Sequence, residues 1–296
     1  MRRHRTTARG ILFPLFAGLL AGAFLVPAGG AESTGSAGVP RLVFPLVAKT
    51  ELWDNYGDPR GTHSHAGIDM ENPWRAPVVA VEAGKVSYAD SNLGGCMLYL
   101  YGRSGTMYLY IHLNNDLTAR NDNRGGCVED VTFAVPNGSK VSAGEQVAWN
   151  GDSGDANGNP HLHFEVHPNG GGDVNPFRHL VRAQRPLFAA RVGSQFSLGL
   201  RGKLVAAGAG TIELEIESVR HYPGGRWLEI DTRAVELTVS PDAQLATSLG
   251  EVKGLAQRAL RAPIPVAVQT VQMRTTTDAI IGAKGSLAAS RVERLP

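Results

Sequence analysis

Short apolar runs separated by turn-forming residues dominate the chain between Leu42 and about Leu180. The runs are four to seven residues long and rich in β-branched and aromatic residues, and clusters of Gly, Asn, Asp and Pro separate them. This pattern predicts strands instead of helices. Examples are Val78 to Val81, Met97 to Tyr101, Met107 to Leu113 and Leu162 to Val166. We therefore predict an antiparallel β domain over residues 42–183.

A second series of strand-like runs begins near Gln184. Turn signals such as Tyr222-Pro223-Gly224-Gly225 separate these runs, and the segment from Ala243 to Leu260 has room for a helix. The runs are Gln195 to Leu200, Thr211 to Val219, Trp227 to Ile230, Val235 to Val239 and Ile264 to Met273. We predict a smaller, mostly β accessory domain at residues 184–296, shaped like a β-barrel. The whole chain is thus expected to be all-β.

The first residues resemble an export signal. Four arginines precede an apolar stretch from Ile11 to Val26, and small residues follow as far as Ala31. That order is typical of a secretory signal peptide at residues 1–31, followed by a polar linker at 32–41. The apolar stretch is shorter than the roughly 20 residues of a membrane span. An uncleaved anchor is the alternative, and both readings place the bulk of the chain in the cell envelope or outside the cell.

Charge argues against a nucleic-acid partner. The full chain has 29 basic and 27 acidic residues, a net charge of +2. Residues 1–31 contain four of the arginines and no acidic residue, so the remainder carries a net charge of −2. The basic excess therefore belongs to the export signal, and nothing else in the charge pattern favours binding to nucleic acid.

Two cysteines, Cys96 and Cys127, lie in the exported part. An even count in an oxidising compartment favours a disulfide. A thiolate metal site is the less favoured alternative, because neither cysteine belongs to a CxxC pair.

The first chemically informative motif is His65-Ala66-Gly67-Ile68-Asp69. In a strand, residues four apart share a face, and Gly67 between them would leave room for an ion. Imidazole nitrogen and carboxylate oxygen both bind zinc. We therefore expect His65 and Asp69 on one strand face and Ile68 and Met70 in the core.

The second motif is the strand-like run His161-Leu162-His163-Phe164-Glu165-Val166. Alternation places His161, His163 and Glu165 on one face and the apolar residues on the other. Two imidazoles beside a buried apolar face suit a metal site, although two surface histidines would show the same pattern. Glu165 is either a residue that orients His163 or a solvated strand residue.

A third histidine, His112, ends the run Tyr108-Leu109-Tyr110-Ile111-His112-Leu113. Alternation places it on the same face as the two tyrosines. Taken alone, it reads as a core histidine bonded to a neighbour.

Together, HxxxD, the tyrosine-flanked His-Leu and HLHFE resemble, in this order, the LytM/lysostaphin-type M23 family of zinc metalloendopeptidases. Further segments add to the resemblance, namely Pro77 to Val86, Val141 to Ala148 and Asp173 to Pro176. The resemblance covers about residues 43–180. One departure is Gly158-Asn159-Pro160 before the HLHFE motif, where the family usually has Gly-Pro directly.

The resemblance implies a function and a set of roles. His65, Asp69 and His163 would hold one Zn²⁺, and His112 and His161 would be the catalytic histidines beside it. Three protein ligands with an open fourth position are the arrangement of a catalytic zinc site. The implied substrate is the peptide part of bacterial peptidoglycan, either cross-links or stem peptides.

Two alternatives remain. A non-enzymatic LytM-like module would bind the wall or activate amidases, but such relatives typically lack one or more of the five residues that this chain retains. A D,D-dipeptidase of another fold would need a longer HxxxxxxD spacing and a later ExxH, and the chain has neither in the right order.

Overall fold

The computed structural model describes residues 38–222, 224–245 and 258–296. The predicted signal peptide and linker residues 32–37 lie outside the described residues. Within this described part, no helix is long and apolar enough to cross a membrane.

The first part of the described chain is built from short strands. The strands are β1 (Pro59–Arg60), β2 (His63–Ser64), β3 (Ile68–Glu71), β4 (Pro77–Val79), β5 (Gly84–Ser91), β6 (Gly95–Gly102), β7 (Met107–Leu113), β8 (Lys140–Val141), β9 (Gln146–Trp149) and β10 (His161–His167). A short helix, α1 (Phe177–Val181), follows them, and single 3₁₀ turns span Gly154–Ala156 and Pro168–Gly170.

Six of these strands form one antiparallel sheet in the order β3-β10-β7-β6-β5-β8. β10 is paired on both sides, with β3 and with β7. The register places His163 opposite Asp69 on β3 and opposite Ile111 on β7. The sheet order therefore brings the three sequence motifs together, although they are far apart along the chain.

Alternation along β10 divides the strand into an apolar and a polar face. Leu162, Phe164 and Val166 are fully buried in the core, where they pack with Tyr108 and Tyr110 of β7. Because successive side chains point to opposite faces, the histidines of β10 must lie on the other side of the sheet. The packing of one face thus positions the chemistry on the other.

The second part of the described chain is a closed five-stranded barrel with the order β12-β13-β14-β17-β15. All neighbours are antiparallel except β14 and β17, which are parallel. The strands of this part are β11 (Gln195–Phe196), β12 (Leu198–Gly208), β13 (Thr211–His221), β14 (Leu228–Leu245), β15 (Arg258–Thr270), β16 (Met273–Arg274) and β17 (Ala288–Arg294). The barrel encloses its own apolar core, and the prediction of an all-β chain is confirmed.

Two details of the barrel differ from the sequence prediction. The runs at Trp227 to Ile230 and Val235 to Val239 belong largely to one long strand, β14. The segment from Ala243 to Leu260, which has room for a helix, begins and ends as strand, and residues 246–257 lie outside the described residues. The described helix of this part is α2 (Thr277–Ile281), which the Thr276 side chain caps. The domain division at residues 183 and 184 stays a prediction.

Cys96 and Cys127 form a disulfide, with their Cα atoms 5.3 Å apart. It ties β6 to the loop that follows β7. The thiolate metal site is therefore excluded for these two residues.

Candidate metal centre

Three side chains from the first and second motifs converge on one point. His65 Nε2 lies 2.9 Å from His163 Nδ1 and 3.0 Å from Asp69 Oδ1. His163 Nδ1 lies 2.8 Å from the same carboxylate oxygen. Both imidazoles are buried and the carboxylate is half-buried. These three residues form the group able to hold a metal ion in the described part of the chain.

The hydrogen bonds on the outer side of the two imidazoles determine which ring nitrogen carries the lone pair that faces the centre. His65 Nδ1 lies 2.7 Å from the Asn55 carbonyl oxygen, to which it donates its hydrogen. His163 Nε2 lies 2.9 Å from Glu165 Oε1 and likewise donates outward. In the neutral rings, the inner nitrogens therefore carry lone pairs that face a carboxylate oxygen. With both rings neutral, as metal binding requires, three acceptors meet without a donor and fit a cation, and two imidazoles with one carboxylate are a ligand set that suits zinc.

The charges around the centre favour a positive species at this point. Burial lowers the pKa of His163, but its contacts with Asp69 and Glu165 outweigh burial and raise it to about 9. Burial raises the pKa of Asp69, but the hydrogen bonds with His163 and His65 outweigh burial and hold it far below its usual range. The same field that attracts a proton to His163 attracts a metal cation.

Glu165 orients a member of the group and is not merely a solvated strand residue. Oε1 accepts the hydrogen bond from His163, and Oε2 lies 2.6 Å from His167 Nε2. Burial raises the pKa of Glu165, but the bonds from His163 and His167 lower it overall. A carboxylate behind a ligating imidazole holds its tautomer and makes it a better ligand.

We predict that Glu165→Gln weakens zinc affinity by about 10–100-fold, the usual effect of losing an outer partner of a ligand. The amide keeps the size of the side chain but removes the charge behind His163. Zinc competition with a chromophoric chelator measures the change. Glu71→Gln is the matched control, because Glu71 lines the same groove, is exposed and lies opposite His161 in the register. Equal affinities in the Glu165→Gln and wild-type proteins would contradict the prediction.

His112 and His161 stand beside the group as a pair. Their ring centroids are 4.8 Å apart, and His161 Nε2 is 3.7 Å from Asp69 Oδ1. His112 Nδ1 donates to the Ser153 carbonyl at 2.9 Å, and His161 Nδ1 donates to the Asn159 carbonyl at 2.8 Å. Each neutral ring therefore keeps Nε2 as a proton acceptor.

Burial, together with the electrostatic effect of the neighbouring His161, lowers the pKa of His112 to about 4, although the hydrogen bond to the Ser153 carbonyl opposes the shift. His112 is therefore neutral at pH 7. A neutral imidazole with a free Nε2 is able to take a proton from a neighbouring group.

The backbone at His112 explains why this side chain leaves the core. Tyr110 opposes Leu98 and Leu113 opposes Cys96, so Ile111 and His112 together oppose Met97 in a β-bulge. His112 has φ 62°, which is the left-handed region. Strict alternation is broken there, and His112 lines the groove together with Ile111. His112 is buried and bonded to the Ser153 carbonyl, as its reading as a core histidine bonded to a neighbour predicts, but it also lines the groove of the metal centre.

The local conformation at the first motif also differs from the prediction. The strand expected from His65 to Asp69 is interrupted, because β3 begins only at Ile68 and His65 lies in the irregular segment between β2 and β3. Gly67 serves a close approach to β10. A Cβ there would lie 2.5 Å from the Phe164 carbonyl oxygen and 2.8 Å from His163 Nε2. The space beside Gly67 is filled by β10, not kept for an ion. Ile68 and Met70 are fully buried, as predicted.

Sequence reasoning missed several groups that hold the site. Arg60 donates from Nη2 to Asp69 Oδ2 at 2.5 Å, and so engages the carboxylate oxygen that faces away from the two imidazoles. The Asn55 side chain accepts a hydrogen bond from the Asp69 backbone N–H at 3.2 Å. Arg60 belongs to no motif that could be recognised in the sequence. The Asn55, Ser153 and Asn159 groups that bond the histidines are backbone carbonyls, and residue type does not predict their role.

The centre lies in a groove of about 1110 Å³. Trp53 and Leu93 line it and are 40% and 61% exposed. His63 lines it too but is exposed and outside the metal group. His179 on α1 and His221 on β13 lie elsewhere, and His4 is outside the described residues.

Comparisons with known proteins agree with this geometry. No protein-family model matches the chain. The chain is 31% identical over 138 residues to an uncharacterised metalloprotease of Haemophilus influenzae, a match that covers 43% of this chain and 25% of the relative. It is 30% identical over 142 residues to the uncharacterised lipoprotein YgeR of Escherichia coli, which covers 46% of this chain and 50% of the relative. The chain thus spans between a quarter and a half of the length of these curated relatives.

Among solved structures, the catalytic domain of the antimicrobial peptidase lysostaphin from Staphylococcus simulans is similar to this chain. The identity is 26%, the TM-score is 0.35, and the match covers 45% of this chain and 92% of that domain. The matched relative from Haemophilus influenzae is described as a metalloprotease, in agreement with the resemblance to metallopeptidases that the motifs predict.

Proposed function

We propose that this chain is an exported zinc-dependent endopeptidase that hydrolyses cross-links or stem peptides of bacterial peptidoglycan. The observation that carries the proposal is the convergence of His65, Asp69 and His163 on one point, beside the imidazoles of His112 and His161. Hydrolysis of a peptide bond can use a bound metal ion together with a neighbouring group that accepts a proton.

His65 Nε2, Asp69 Oδ1 and His163 Nδ1 would hold the zinc ion. When bound, zinc acts as a Lewis acid that polarises a carbonyl and makes water nucleophilic at neutral pH. His112 and His161 accept or donate a proton at Nε2, and their Nδ1 hydrogen bonds hold both rings in the required tautomer. One of them serves as general base through its unprotonated Nε2, and the other, protonated at Nε2, donates a hydrogen bond to the negative charge that develops on the substrate oxygen.

The size of the groove and the resemblance of the motifs to lysostaphin-type peptidases support the proposed substrate class. A groove of about 1110 Å³ with an exposed tryptophan at its edge has room for several residues of an extended peptide. Arg60 is the single lysine or arginine among the described residues that line the groove, and its side chain is 44% exposed. The resemblance of the motifs to lysostaphin-type peptidases implies short, flexible peptides that contain glycine or D-amino acids.

Export is supported by two observations. The Cys96–Cys127 disulfide is typical of an oxidising compartment, and one relative is described as a lipoprotein. Both agree with the signal peptide that the first 31 residues predict.

The test incubates the full chain with purified peptidoglycan and follows the release of new amino termini. We expect release that a zinc chelator abolishes and that added zinc restores, and mass analysis of the fragments would identify the bond. Walls with glycine bridges and walls with directly linked stem peptides should both be tried. If no wall chemistry yields new amino termini while zinc is bound stoichiometrically, the peptidase proposal fails and a non-enzymatic wall-binding module becomes the better reading.

A further inference from the structure

A second cavity lies away from the metal centre, between the six-stranded sheet region and the barrel. Its volume is about 340 Å³, within the range of about 300–1000 Å³ of small-molecule sites. One wall comes from the segment around Arg75 and from Trp149 of β9. The opposite wall comes from Arg220 and His221 of β13 and from Arg226. None of these residues lines the groove of the metal centre.

The charge of this cavity is one-sided. Arg75, Arg220 and Arg226 line it, and no described lining residue is an aspartate or glutamate. Within the described part of the chain, none of the three arginines forms an ion pair with a carboxylate. Arg75 Nη2 donates to the Asp116 and Thr118 carbonyl oxygens, and Arg226 Nη2 donates to the Trp74 carbonyl oxygen at 3.4 Å. Three arginines therefore line one pocket that has no acidic residue among its described lining residues.

The Arg220 side chain packs on Trp227 and keeps a hydrogen-bond donor without an acceptor in the described part of the chain. Its guanidinium lies 4.6 Å from the Trp227 ring centroid, and its buried Nε has no hydrogen-bond partner among the described residues. Buried donors are normally paired, and a guanidinium matches the geometry of carboxylate and phosphate oxygens. An oxyanion in the cavity would supply an acceptor for the Arg220 guanidinium.

The remaining walls are apolar or aromatic. Phe188, Val219, Leu228 and Trp149 line the cavity, and His221 Nε2 donates to the Ala189 carbonyl oxygen at 2.7 Å. Such a surface accommodates a compact organic body next to the charged group.

We propose that this cavity binds a small organic oxyanion, a carboxylate or phosphate attached to a body of about monosaccharide size. Arg220 and Arg226 contact the anionic group, and Trp149 with the apolar wall contacts the body. The site stands apart from the zinc centre and does not depend on the proposed peptidase activity.

Calorimetric titration of the full chain tests the proposal with two matched pairs of probes. N-acetylmuramic acid and N-acetylglucosamine differ by one carboxylate-bearing group, and glycerol 3-phosphate and glycerol differ by one phosphate. We expect at least one anionic probe to bind at least tenfold more tightly than its neutral partner, with weaker binding at higher ionic strength. Preference for the first pair assigns a carboxylate, and preference for the second pair assigns a phosphate.

Arg226→Ala and Arg220→Ala should each weaken the preferred probe at least tenfold. Arg201→Ala is the matched control, because Arg201 also lies over the Trp227 ring, at 4.1 Å, but does not line the cavity. It should change the affinity by less than twofold. Arg226 is exposed, so its variant keeps the test valid if Arg220→Ala unfolds the barrel.

Three results would overturn the proposal: neither anionic probe binds better than its neutral partner, Arg226→Ala leaves binding unchanged, or Arg201→Ala weakens binding as much as the pocket variants. The last result would mean that surface charge in general attracts the probe. His163→Ala should bind the probe as the wild-type chain does, so a failure of the peptidase proposal is distinguishable from a failure of this one.

Discussion

His163→Ala is expected to lose its bound zinc and to lower peptidoglycan peptidase activity by at least about 10³-fold, since metal activation supplies several kcal/mol of the rate. The variant removes one of the three inward lone pairs and also leaves Glu165 without the ring to which it is bonded. Metal analysis of the purified variant and the rate of amino-terminus release measure the two effects. Asp69→Asn should behave similarly, because it removes the charge that both imidazoles contact.

The matched control for this prediction is His63→Ala. His63 lines the same groove and lies two residues before His65, but it is exposed and outside the metal group. It should keep wild-type zinc content and activity within a few-fold. A His163→Ala protein with full zinc content would refute the assignment of this residue as a ligand, and so would equal losses in the His63 and His163 variants.

His161→Asn and His112→Asn are expected to keep zinc and to lower kcat by about 10²–10⁴-fold each, the contribution of a positioned acid or base. Asparagine places its amide nitrogen near the position of Nδ1, so the hydrogen bond to the Asn159 or Ser153 carbonyl can persist. What it removes is Nε2, the atom that accepts the proton. The chosen substitution therefore separates proton transfer from the packing of the ring.

The measurement is kcat and KM on a soluble cross-link peptide, together with metal content. A fall in kcat with little change in KM, at full zinc content, would support a role in the chemical step. Loss of zinc in either variant would instead make that histidine part of the metal site. Unchanged kcat in both would remove the pair from the mechanism. Thermal unfolding of each variant shows whether the protein remains folded.

Much of the site was predictable from the pattern on β10. Alternating histidines and large apolar residues place His161, His163 and Glu165 on one face, because one side of the sheet must bury Leu162, Phe164 and Val166. The all-β class followed from the same kind of pattern along the rest of the chain. The assignment of His65, Asp69 and His163 as ligands stays a prediction until metal binding is measured, although these three residues do meet in space.

The tertiary structure alone decided how the other residues reach that face. His65 lies in an irregular segment and not in a strand, and Gly67 is required because the Phe164 carbonyl lies against it. Strict alternation would place His112 on the same face as the buried tyrosines Tyr108 and Tyr110. A β-bulge and the left-handed backbone conformation at His112 turn its side chain toward the groove instead. Such a conformation costs about 1–3 kcal/mol locally and persists only when surrounding contacts hold it.

The sequence also did not predict the backbone carbonyls that bond the histidines or the cavity lined by arginines. Side-chain periodicity depends on residue type within one strand, so the sequence by itself determined which strands form and which face each one buries. Backbone carbonyls look alike in every residue, and pairing between distant segments depends on how whole elements pack. Only the folded chain therefore decided the tautomers of the histidines, the exit of His112 from the core, and the meeting of Arg75 with Arg220 and Arg226.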